Sequence, residues 1–417
     1  MHIVARWRRT ALLLMLIGGA AGCVSTTVRT VDMSQPKSAT AQVPESLLLD
    51  VGVAAFDANI PDDYDEQIEQ HISPDVRRAE GVYIAYVLKN TLQDTGNWGA
   101  VRVVPRPTDA VDVNVKGAIL ASDGARLKVD ATVTDASGKE WFTRTYEALA
   151  SKYAYDPSVP PDIDPFQSIY RQIADDMLAY RQQLNAADVS RIRTVAEMKF
   201  AKEFAPDAFS SYIGTNKQGQ VVVKRLPASD DPMLVRVRKV REREYAFIDT
   251  LDEYYAEFDR TMHKPYQDWR SATYTEAIAY RQLQSQARTR MLVGSAALVG
   301  GVAAEFGGDS DTTKMAGWGS VLTGAMLMKS ALNKRAEAEI HSEVLQELGA
   351  SAEAEIAPHT LELENETVRL TGTVDQQYAT LRRILKQAYY EELGLPVPDT
   401  PDAAGAPGKP SASPSDS

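Results

Sequence analysis

The first third of the chain has a pattern of apolar and polar residues that is typical of a small α/β domain. Short apolar runs predict buried strands, apolar residues at spacings of three and four predict a helix, and strict alternation predicts half-buried strands. The predicted elements are a strand at 47–56, a helix at 76–92, a strand at 101–104 and three strands between Val111 and Tyr146. The turn dipeptides Asp123-Gly124 and Ser137-Gly138 separate the last three strands. Residues 46–150 are therefore expected to form an α/β domain that ends in a three-stranded meander.

Residues 160–290 are predicted to be mainly helical. Asp164-Pro165 and Asp231-Pro232 each place a capping side chain before a proline, which is a common start of a helix. Beyond the second start, large side chains recur at spacings of three and four: Phe247, Leu251, Tyr254, Phe258, Thr261 and Pro265. Such a stripe is typical of the core of a helix bundle, and a binding groove is the alternative. The proline within the stripe is expected to kink the helix or to split it in two.

Residues 291–332 contain two apolar stretches in which small residues recur at every fourth position. These residues are Ala296, Gly300, Ala304 and Gly308 in the first stretch and Ala316, Ser320 and Gly324 in the second. Small residues at this spacing form one smooth helix face and let helix backbones approach closely. We therefore expect a helical hairpin of glycine-zipper type. Three interpretations stay open: packing inside the soluble fold, self-association, and membrane insertion, for which each stretch is at or below the required length of about 20 residues.

The last part of the chain returns to mixed structure. Residues 333–395 predict an Ala/Glu-rich helix followed by a small ββα unit, and residues 396–417 are rich in Pro, Gly and Ser and predict a disordered tail. The pattern as a whole predicts an α+β fold. It consists of a small α/β amino-terminal domain, a long helical middle with a glycine-zipper helical hairpin, and a small hairpin-plus-helix unit at the carboxy terminus.

The amino terminus has the pattern of a cleaved export signal. Arg6, Arg8 and Arg9 precede about a dozen apolar residues, a run too short to be a comfortable permanent anchor. This run ends in Ala-Ala-Gly followed by Cys23, the single cysteine of the 417 residues. An exported protein that keeps one thiol at its predicted cleavage point has a specific use for it. We therefore expect residues 1–22 to be a signal peptide.

The four residues that end at Cys23, Ala-Ala-Gly-Cys, resemble the lipobox of bacterial lipoproteins. The resemblance implies that Cys23 carries acyl chains such as palmitate and becomes the first residue of the mature chain. Several acyl chains on one residue make a stable anchor, because each buried methylene contributes about 0.8 kcal/mol. Val24, in place of Asp, implies by the same resemblance sorting to the periplasmic face of the outer membrane. Residues 23–45 are rich in Ser, Thr, Gln and Pro and predict a lipidated flexible tether.

A second resemblance lies in the predicted α/β domain. The sequences DVNVKGAIL and DGARLKVDATVTDASGKEW, within residues 112–141, follow a strand, a helix and a strand. This order of elements and these residues resemble the amino-terminal α/β domains of periplasmic assembly proteins. They include the TolB amino-terminal domain, the curli-secretion CsgG-like lipoproteins and the lipoprotein activators of penicillin-binding proteins. The resemblance implies a role in envelope assembly. Long barrel-building hairpins like those of CsgG-like channels are absent from the sequence, because the turns here are short.

Charge and composition narrow the partners. A formal net charge of -12 argues against nucleic acid as a partner, and 44% hydrophobic residues exclude a wholly disordered chain. Loss of the signal peptide removes three arginines and no acidic residue, so the mature chain is still more acidic. Such a body should not lie flat against anionic lipid. The expected partners are the outer membrane, through Cys23, envelope proteins, and further copies of this chain.

Motifs for catalysis or metal binding are absent from the sequence. The histidines after the signal peptide are His71, His263, His341 and His359. They lack the spacing of a metal site, and the chain has no phosphate loop, nucleophile elbow or dinucleotide-binding glycine motif. We therefore expect no cofactor, no metal and no enzymatic activity. The expected function is that of a lipid-anchored structural or assembly component of the bacterial cell envelope. An oligomeric pore or channel component built on the glycine zipper is the alternative, and a periplasmic hydrolase ranks third.

Overall fold

The structure, a computed structural model, describes residues 34–69, 72–160, 163–300, 359–362, 367–370 and 373–396. Its strands are β1 (Val51–Ala54), β2 (Val101–Val104), β3 (Val113–Asp123), β4 (Arg126–Asp135), β5 (Glu140–Leu149), β6 (Ile213–Thr215), β7 (Val221–Val223), β8 (His359–Glu362) and β9 (Thr367–Leu370). Its helices are α1 (Tyr64–Glu69), α2 (Pro74–Asp94), α3 (Gln167–Arg181), α4 (Ala186–Phe204), α5 (Pro206–Phe209), α6 (Pro232–Gly300) and α7 (Val374–Glu392). Over these residues the chain has a mixed α/β fold.

The predicted strand–helix–strand–meander order is confirmed. The five-stranded sheet has the order β2-β1-β3-β4-β5, in which β1 is parallel to both β2 and β3 and the last three strands form an antiparallel meander. Alternate β4 residues are buried, as the pattern predicted. Gly138 has a φ of 83° in the β4–β5 turn, a backbone conformation that glycine adopts without strain.

Helix α2 covers the sheet at very close range. The Phe56 amide, just after β1, donates to the Gly81 carbonyl, and a Cβ at Gly81 would stand 2.3 Å from the Phe56 oxygen. Only a glycine permits this approach. Ile84, Leu88 and Leu92 on the same helix are fully buried against the strands. Helix α2 ends close to Gly96, as predicted, where the backbone turns left-handed with a φ of 66°.

The predicted helical region 160–290 contains a short hairpin that the pattern did not reveal. β6 and β7 pair antiparallel between α5 and α6. Their turn is closed by the Asn216 side chain, which accepts from the backbone amides of Gln218 and Gln220, and by Gly219 at a φ of 79°. The three consecutive valines of β7 favour a strand over a helix. The prediction of a mainly helical segment therefore did not include this hairpin.

Helix α6 is one continuous helix of 69 residues, so of the two expected effects of Pro265, a kink or a split, the split is wrong. A proline removes one backbone donor, a cost of about 3 kcal/mol in a helix interior. The neighbouring residues Met262 and Tyr266 are both fully buried against the body. Their packing holds the helix together across the missing hydrogen bond. The aspartate before this helix caps it as predicted, since the Asp231 carboxylate accepts from the Met233 and Leu234 amides.

The aromatic stripe of α6 is core, as expected, but its predicted phase is partly wrong. The buried positions run at spacings of three and four through Phe247, Leu251, Tyr255, Phe258, Met262 and Tyr266. Tyr254, Thr261 and Pro265, which the sequence pattern placed in the stripe, lie one position away and are more exposed. The alternative of a binding groove along this stripe does not fit, because the stripe is covered by α2 and α7.

The carboxy-terminal ββα unit appears as predicted in outline. β8 pairs antiparallel with β9, and α7 packs on α6 with Phe247 and Tyr378 stacked at 6.3 Å between ring centroids. The buried side chains of α7 belong to the same hydrophobic core as those of the sheet, α3, α4 and α6. The predicted domains 46–150, 160–290 and 333–395 therefore share one core over their described residues.

The described part of the predicted tether lies against the body. The Lys37 amide donates to the Asp175 carboxylate at 2.9 Å, and the Ala39 amide donates to the Thr95 carbonyl at 2.8 Å. The side-chain amide of Asn97 also donates to the Lys37 carbonyl. The chain is thus fixed from Lys37 onward. Cys23, the predicted helix after residue 333 and the predicted tail 397–417 lie outside the described residues.

Candidate functional site

The body contains a buried cluster of charged side chains between α2, α3 and α6, which the sequence pattern did not predict. We call it the Arg270 cluster: Arg270, Asp164, Tyr83, Tyr266, Glu80, Arg77 and Ser122. Arg270 is 0% exposed, and its Nη1 donates to Asp164 Oδ2 at 2.8 Å. The Tyr83 hydroxyl donates to the same oxygen at 2.9 Å. The other carboxylate oxygen of Asp164 accepts from the Phe166 amide at the start of α3. One carboxylate therefore holds three elements together.

A second carboxylate completes this cluster. Arg270 Nη2 lies 2.6 Å from the Tyr266 hydroxyl oxygen, and Tyr266 in turn donates to Glu80. Ser122, near the end of β3, donates to the same Glu80 oxygen. The other oxygen of Glu80 pairs with Arg77 Nε at 3.2 Å. Two arginines and two carboxylates thus balance their charges inside the protein.

Burial sets the protonation behaviour of the Arg270 cluster. It raises the pKa of Tyr83 and of Tyr266 well above the ordinary value, so both phenols stay neutral donors. Burial alone would lower the pKa of Arg270, but Asp164 and the surrounding phenols outweigh it and hold the pKa above the usual range. The Tyr266 ring centroid lies 3.7 Å from the guanidinium carbon, a cation–π contact that adds to this effect. Arg270 is therefore a permanently charged buried anchor.

The β3–β4 hairpin tip is pressed onto the backbone of α6 next to Arg270. A Cβ at Gly124 would stand 2.0 Å from the Arg270 carbonyl oxygen and 2.7 Å from the Tyr274 amide. The Tyr155 hydroxyl donates to the Gly124 carbonyl at 2.5 Å and its ring packs edge-on against Tyr274. Glycine is needed at this tip because the two backbones meet there directly.

A second charged cluster lies further toward the start of α6. We call it the Glu244 cluster: Glu244, Tyr378, Thr108, Arg382 and Glu203. Glu244 is 0% exposed, accepts from the Tyr378 hydroxyl at 2.5 Å and lies 3.4 Å from Arg382 Nε. Arg382 also pairs with Glu203 at 2.7 Å. Burial raises the pKa of Glu244, while Arg382 and the Tyr378 hydroxyl oppose the rise. This cluster joins α6 to α7, α4 and the loop after β2.

A further buried carboxylate lies beside the start of the sheet. Asp112 accepts from the Asp50 amide at 2.9 Å, and burial raises its pKa to about 6. The neighbouring Ala110 carbonyl accepts from Arg241 Nε at 2.9 Å and from the Tyr245 hydroxyl, both on α6. The loop that carries Asp112 is therefore tied both to the strand β1 and to the long helix.

Taken together, the clusters fix the position of α6 on the body. Glu244 and Arg270 stand on the buried face of α6, on either side of its apolar stripe, and each has its charge partners on other elements. Removing one partner of a buried ion pair costs about 3–5 kcal/mol, whereas sliding the helix would break both pairs at once. The arrangement sets register and orientation. Its carboxylates are engaged by arginines and hydroxyls.

The residues predicted as functional lie elsewhere. Ala296 and Gly300 are four positions apart on the last turns of α6, so they share a helix face, but they are not among the residues of either cluster. Ala304, Gly308, Ala316, Ser320, Gly324 and the lipid-attachment residue Cys23 lie outside the described residues. The cluster residues were missed. Their signal in the sequence is a charged residue in phase with an apolar stripe: Arg270 follows Tyr266 by four, and Glu244 precedes Phe247 by three.

In the described part of the chain, no group of three or more His, Cys, Asp or Glu side chains is placed to hold a metal ion. The described helices also lack an apolar stretch of the length that a bilayer crossing needs. Comparison with protein-family models, with curated proteins and with solved structures finds no match for this chain.

Proposed function

We propose that this protein is a lipid-anchored structural component of the bacterial cell envelope. Acyl chains on Cys23 hold the protein to the periplasmic face of the outer membrane, and helix α6 provides the surface that protein partners bind. The amino-terminal sequence supports the anchor, as an export signal that ends in a lipobox-like cysteine. The residues of α6 after Tyr274, which we call the arm, support the second half of the proposal.

The observation that carries the proposal is the way the body holds α6. The helix is fixed by the Glu244 and Arg270 clusters and then continues as a helix from Thr275 to Gly300. At a rise of about 1.5 Å per residue, this arm is about 39 Å long. A helix that extends beyond its clamp is suited to present a surface at a defined distance and angle. Such a presentation would suit the assembly role that the α/β resemblance implies.

A second candidate is an oligomeric pore or channel component. Ala296 and Gly300 are the first two of the small residues that recur at every fourth position in the predicted glycine zipper. A helix face of such residues favours close association of helices. Under this alternative the zipper would drive large oligomers or membrane insertion by itself. Under the structural proposal the membrane contact comes from the acyl chains alone.

The test has two steps. Mass spectrometry of the amino-terminal peptide of the native protein should find Cys23 as the first residue with fatty acyl chains attached. A chain that begins at Val24, and so lacks both signal and thiol, should then be extracted without detergent and be monodisperse in gel filtration. The matched sample is the acylated mature chain, which should need detergent.

Each result discriminates between the candidates. A bare sulfur on Cys23 in the native product would overturn the anchor. A chain from Val24 that stays with the membrane, or that forms large oligomers which Gly300→Leu disperses, would favour the pore candidate. A soluble, monodisperse chain together with an acylated native cysteine would support the structural proposal.

A further inference from the structure

The point at which the tether reaches the body marks one end of the molecule. Lys37 and Ala39 are held by Asn97 and Thr95, which directly follow the end of α2. The Lys37 amide also meets Asp175, in the second half of α3. We call this end, where α2 finishes, the tether pole.

The opposite ends of the same elements meet at the Arg270 cluster. Glu80 lies in the second turn of α2, Asp164 and Phe166 come just before α3, and Ser122 lies at the end of β3. Asp164 and Phe166 contact Arg270. Glu80 accepts from Tyr266, and Ser122 donates to Glu80. These three elements therefore lie along one common axis. Helices α2 and α3 run from the Arg270 cluster to the tether pole, and β3 runs the other way.

Helix α6 runs antiparallel to α2 along this axis. Lys89, late in α2, pairs with Asp252 at 2.8 Å, whereas Tyr83 packs against Tyr266 and its carboxylate neighbour Glu80 binds the same tyrosine. Residues later in α2 therefore contact residues earlier in α6. Helix α6 thus passes the tether pole first, then the Arg270 cluster, and continues as a helix to Gly300 on the side away from the tether pole.

Lengths decide what the arm can reach. From the level of Asp252 to Gly300 the helix rises by about 72 Å at about 1.5 Å per residue. The stretch from Cys23 to Lys37, fully extended at about 3.5 Å per residue, spans at most about 50 Å. An upright body with the tip of its arm in the anchoring leaflet would need a tether longer than the chain supplies. A body tilted by more than about 45° from the bilayer normal could bring both to one surface. The acidic charge of the chain opposes so close an approach to anionic lipid.

We propose that the protein is a spacer with two opposed ends, which holds the tip of α6 away from the membrane that carries Cys23. The inference rests on the proposed lipid anchor and adds the direction of the arm. The partner that meets the arm is accordingly a protein that is not embedded in the anchoring leaflet.

The test measures the distance of three positions from the bilayer. Because Cys23 is the single cysteine and is consumed by acylation, each introduced cysteine takes a fluorophore at one site. The acylated chains Asp94→Cys, Thr275→Cys and Gln286→Cys mark the tether pole, the start of the arm and the arm itself. They are reconstituted in phosphatidylethanolamine/phosphatidylglycerol vesicles that contain an acceptor lipid. Asp94 and Thr275 are exposed, so labels at these two positions should leave the fold intact.

Energy transfer to the acceptor lipid should fall in the order 94, 275, 286. Equal transfer at the three sites, or the strongest transfer at 286, would overturn the spacer. A chain that does not float with the vesicles would remove the anchor and the spacer together, and flotation recognises this case. Spin labels on an Asp94→Cys/Gln286→Cys chain give an independent check: their separation should be about 50 Å or more, and a short distance would contradict the opposed ends.

Discussion

Arg270 and Asp164 are 106 residues apart in the chain, yet their side chains form a fully buried ion pair with an N–O distance of 2.8 Å. The pair joins the long helix to the loop that starts α3. Burying either charge without the other would strongly destabilise the fold. The pair therefore favours the one register of α6 in which the two side chains meet. The stability of the helix clamp should therefore depend on it more than on any surface ion pair.

Replacing Arg270 by Met keeps most of the side-chain volume and removes the charge. Asp164 would then be a buried carboxylate without its cation, and we expect the free energy of unfolding to fall by about 3–5 kcal/mol. Urea denaturation followed by circular dichroism measures the change. A double variant that adds Asp164→Asn should recover part of the loss, because the uncompensated charge is gone.

The matched control for this substitution lies on the same helix. Arg260 pairs with Glu257 at 2.6 Å, but both side chains are 67% exposed. Arg260→Met should therefore leave the free energy of unfolding essentially unchanged. If both arginine variants lose the same stability, the buried pair is not what fixes α6.

Gly124→Ala tests the close approach of the hairpin tip to α6. The added Cβ meets the Arg270 carbonyl oxygen at 2.0 Å, so the tip or the helix must move, at an expected cost of about 1–3 kcal/mol. Thermal unfolding measures it. Gly138→Asn is the control, because a side chain there meets open space and Asn tolerates a left-handed backbone. Equal melting temperatures for Gly124→Ala and the unmodified protein would refute the contact.

The buried carboxyl of Asp112 predicts a pH dependence of stability. Its pKa in the folded protein is about 6, above the ordinary value of 3.8, so folding favours the protonated form. The stabilisation by this group is complete below about pH 4 and is lost as the pH rises through 6. Between pH 4 and 7, the unmodified protein should lose up to about 3 kcal/mol relative to Asp112→Asn. Denaturant titrations across this range measure the difference.

The control for this titration is a substitution that changes no ionisable group. Gly138→Asn, where a side chain meets open space, should follow the pH profile of the unmodified protein in parallel. Parallel profiles for Asp112→Asn as well would mean that Asp112 carries its charge without penalty in the fold.

Pro265 offers a prediction with the opposite sign. Alanine at this position restores a backbone donor inside a continuous helix and has the better helix propensity. Pro265→Ala should raise the free energy of unfolding by about 1–3 kcal/mol. A decrease would show that the ring of the proline makes contacts which outweigh the missing hydrogen bond.

Gly300→Leu tests the face of small residues at the end of α6. A large side chain there would keep helices apart, so self-association or melting temperature should fall. Analytical ultracentrifugation and thermal unfolding measure both. Gly300→Ala keeps the side chain small and should leave both unchanged or slightly improved. If Gly300→Leu changes neither oligomer size nor melting, the glycine-zipper interpretation fails at this position.

Local signals made the sheet and its meander predictable from the sequence. Alternation in β4 and the Ser137-Gly138 turn fix strand positions through contacts that are near in the chain. The continuous α6 was not predictable in the same way. Whether Pro265 breaks a helix depends on what packs around it, and those partners come from α2, almost two hundred residues earlier. The β6–β7 hairpin was missed because its strands have only three residues each.

The charged clusters show a different limit. Arg270 and Glu244 look like ordinary surface residues unless the phase of the apolar stripe is known to within one position. The predicted stripe included Tyr254 and Thr261, which lie one position away from the buried face. With that phase, the inward orientation of Arg270 and Glu244 was not recognised. Their partners Asp164 and Arg382 lie in other elements, and nothing local in the chain relates them. Long-range pairing of charges is a property of the packed fold.

The antiparallel alignment of α2 and α6 has a mechanical consequence. A pulling force between the tether pole and the tip of α6 would act along the helix axes. It would load the Lys89–Asp252 pair, the Tyr83–Tyr266 contact and the Arg270 cluster in shear, so that these contacts would have to yield together. A body joined in this way resists tension far better than one whose contacts peel apart singly.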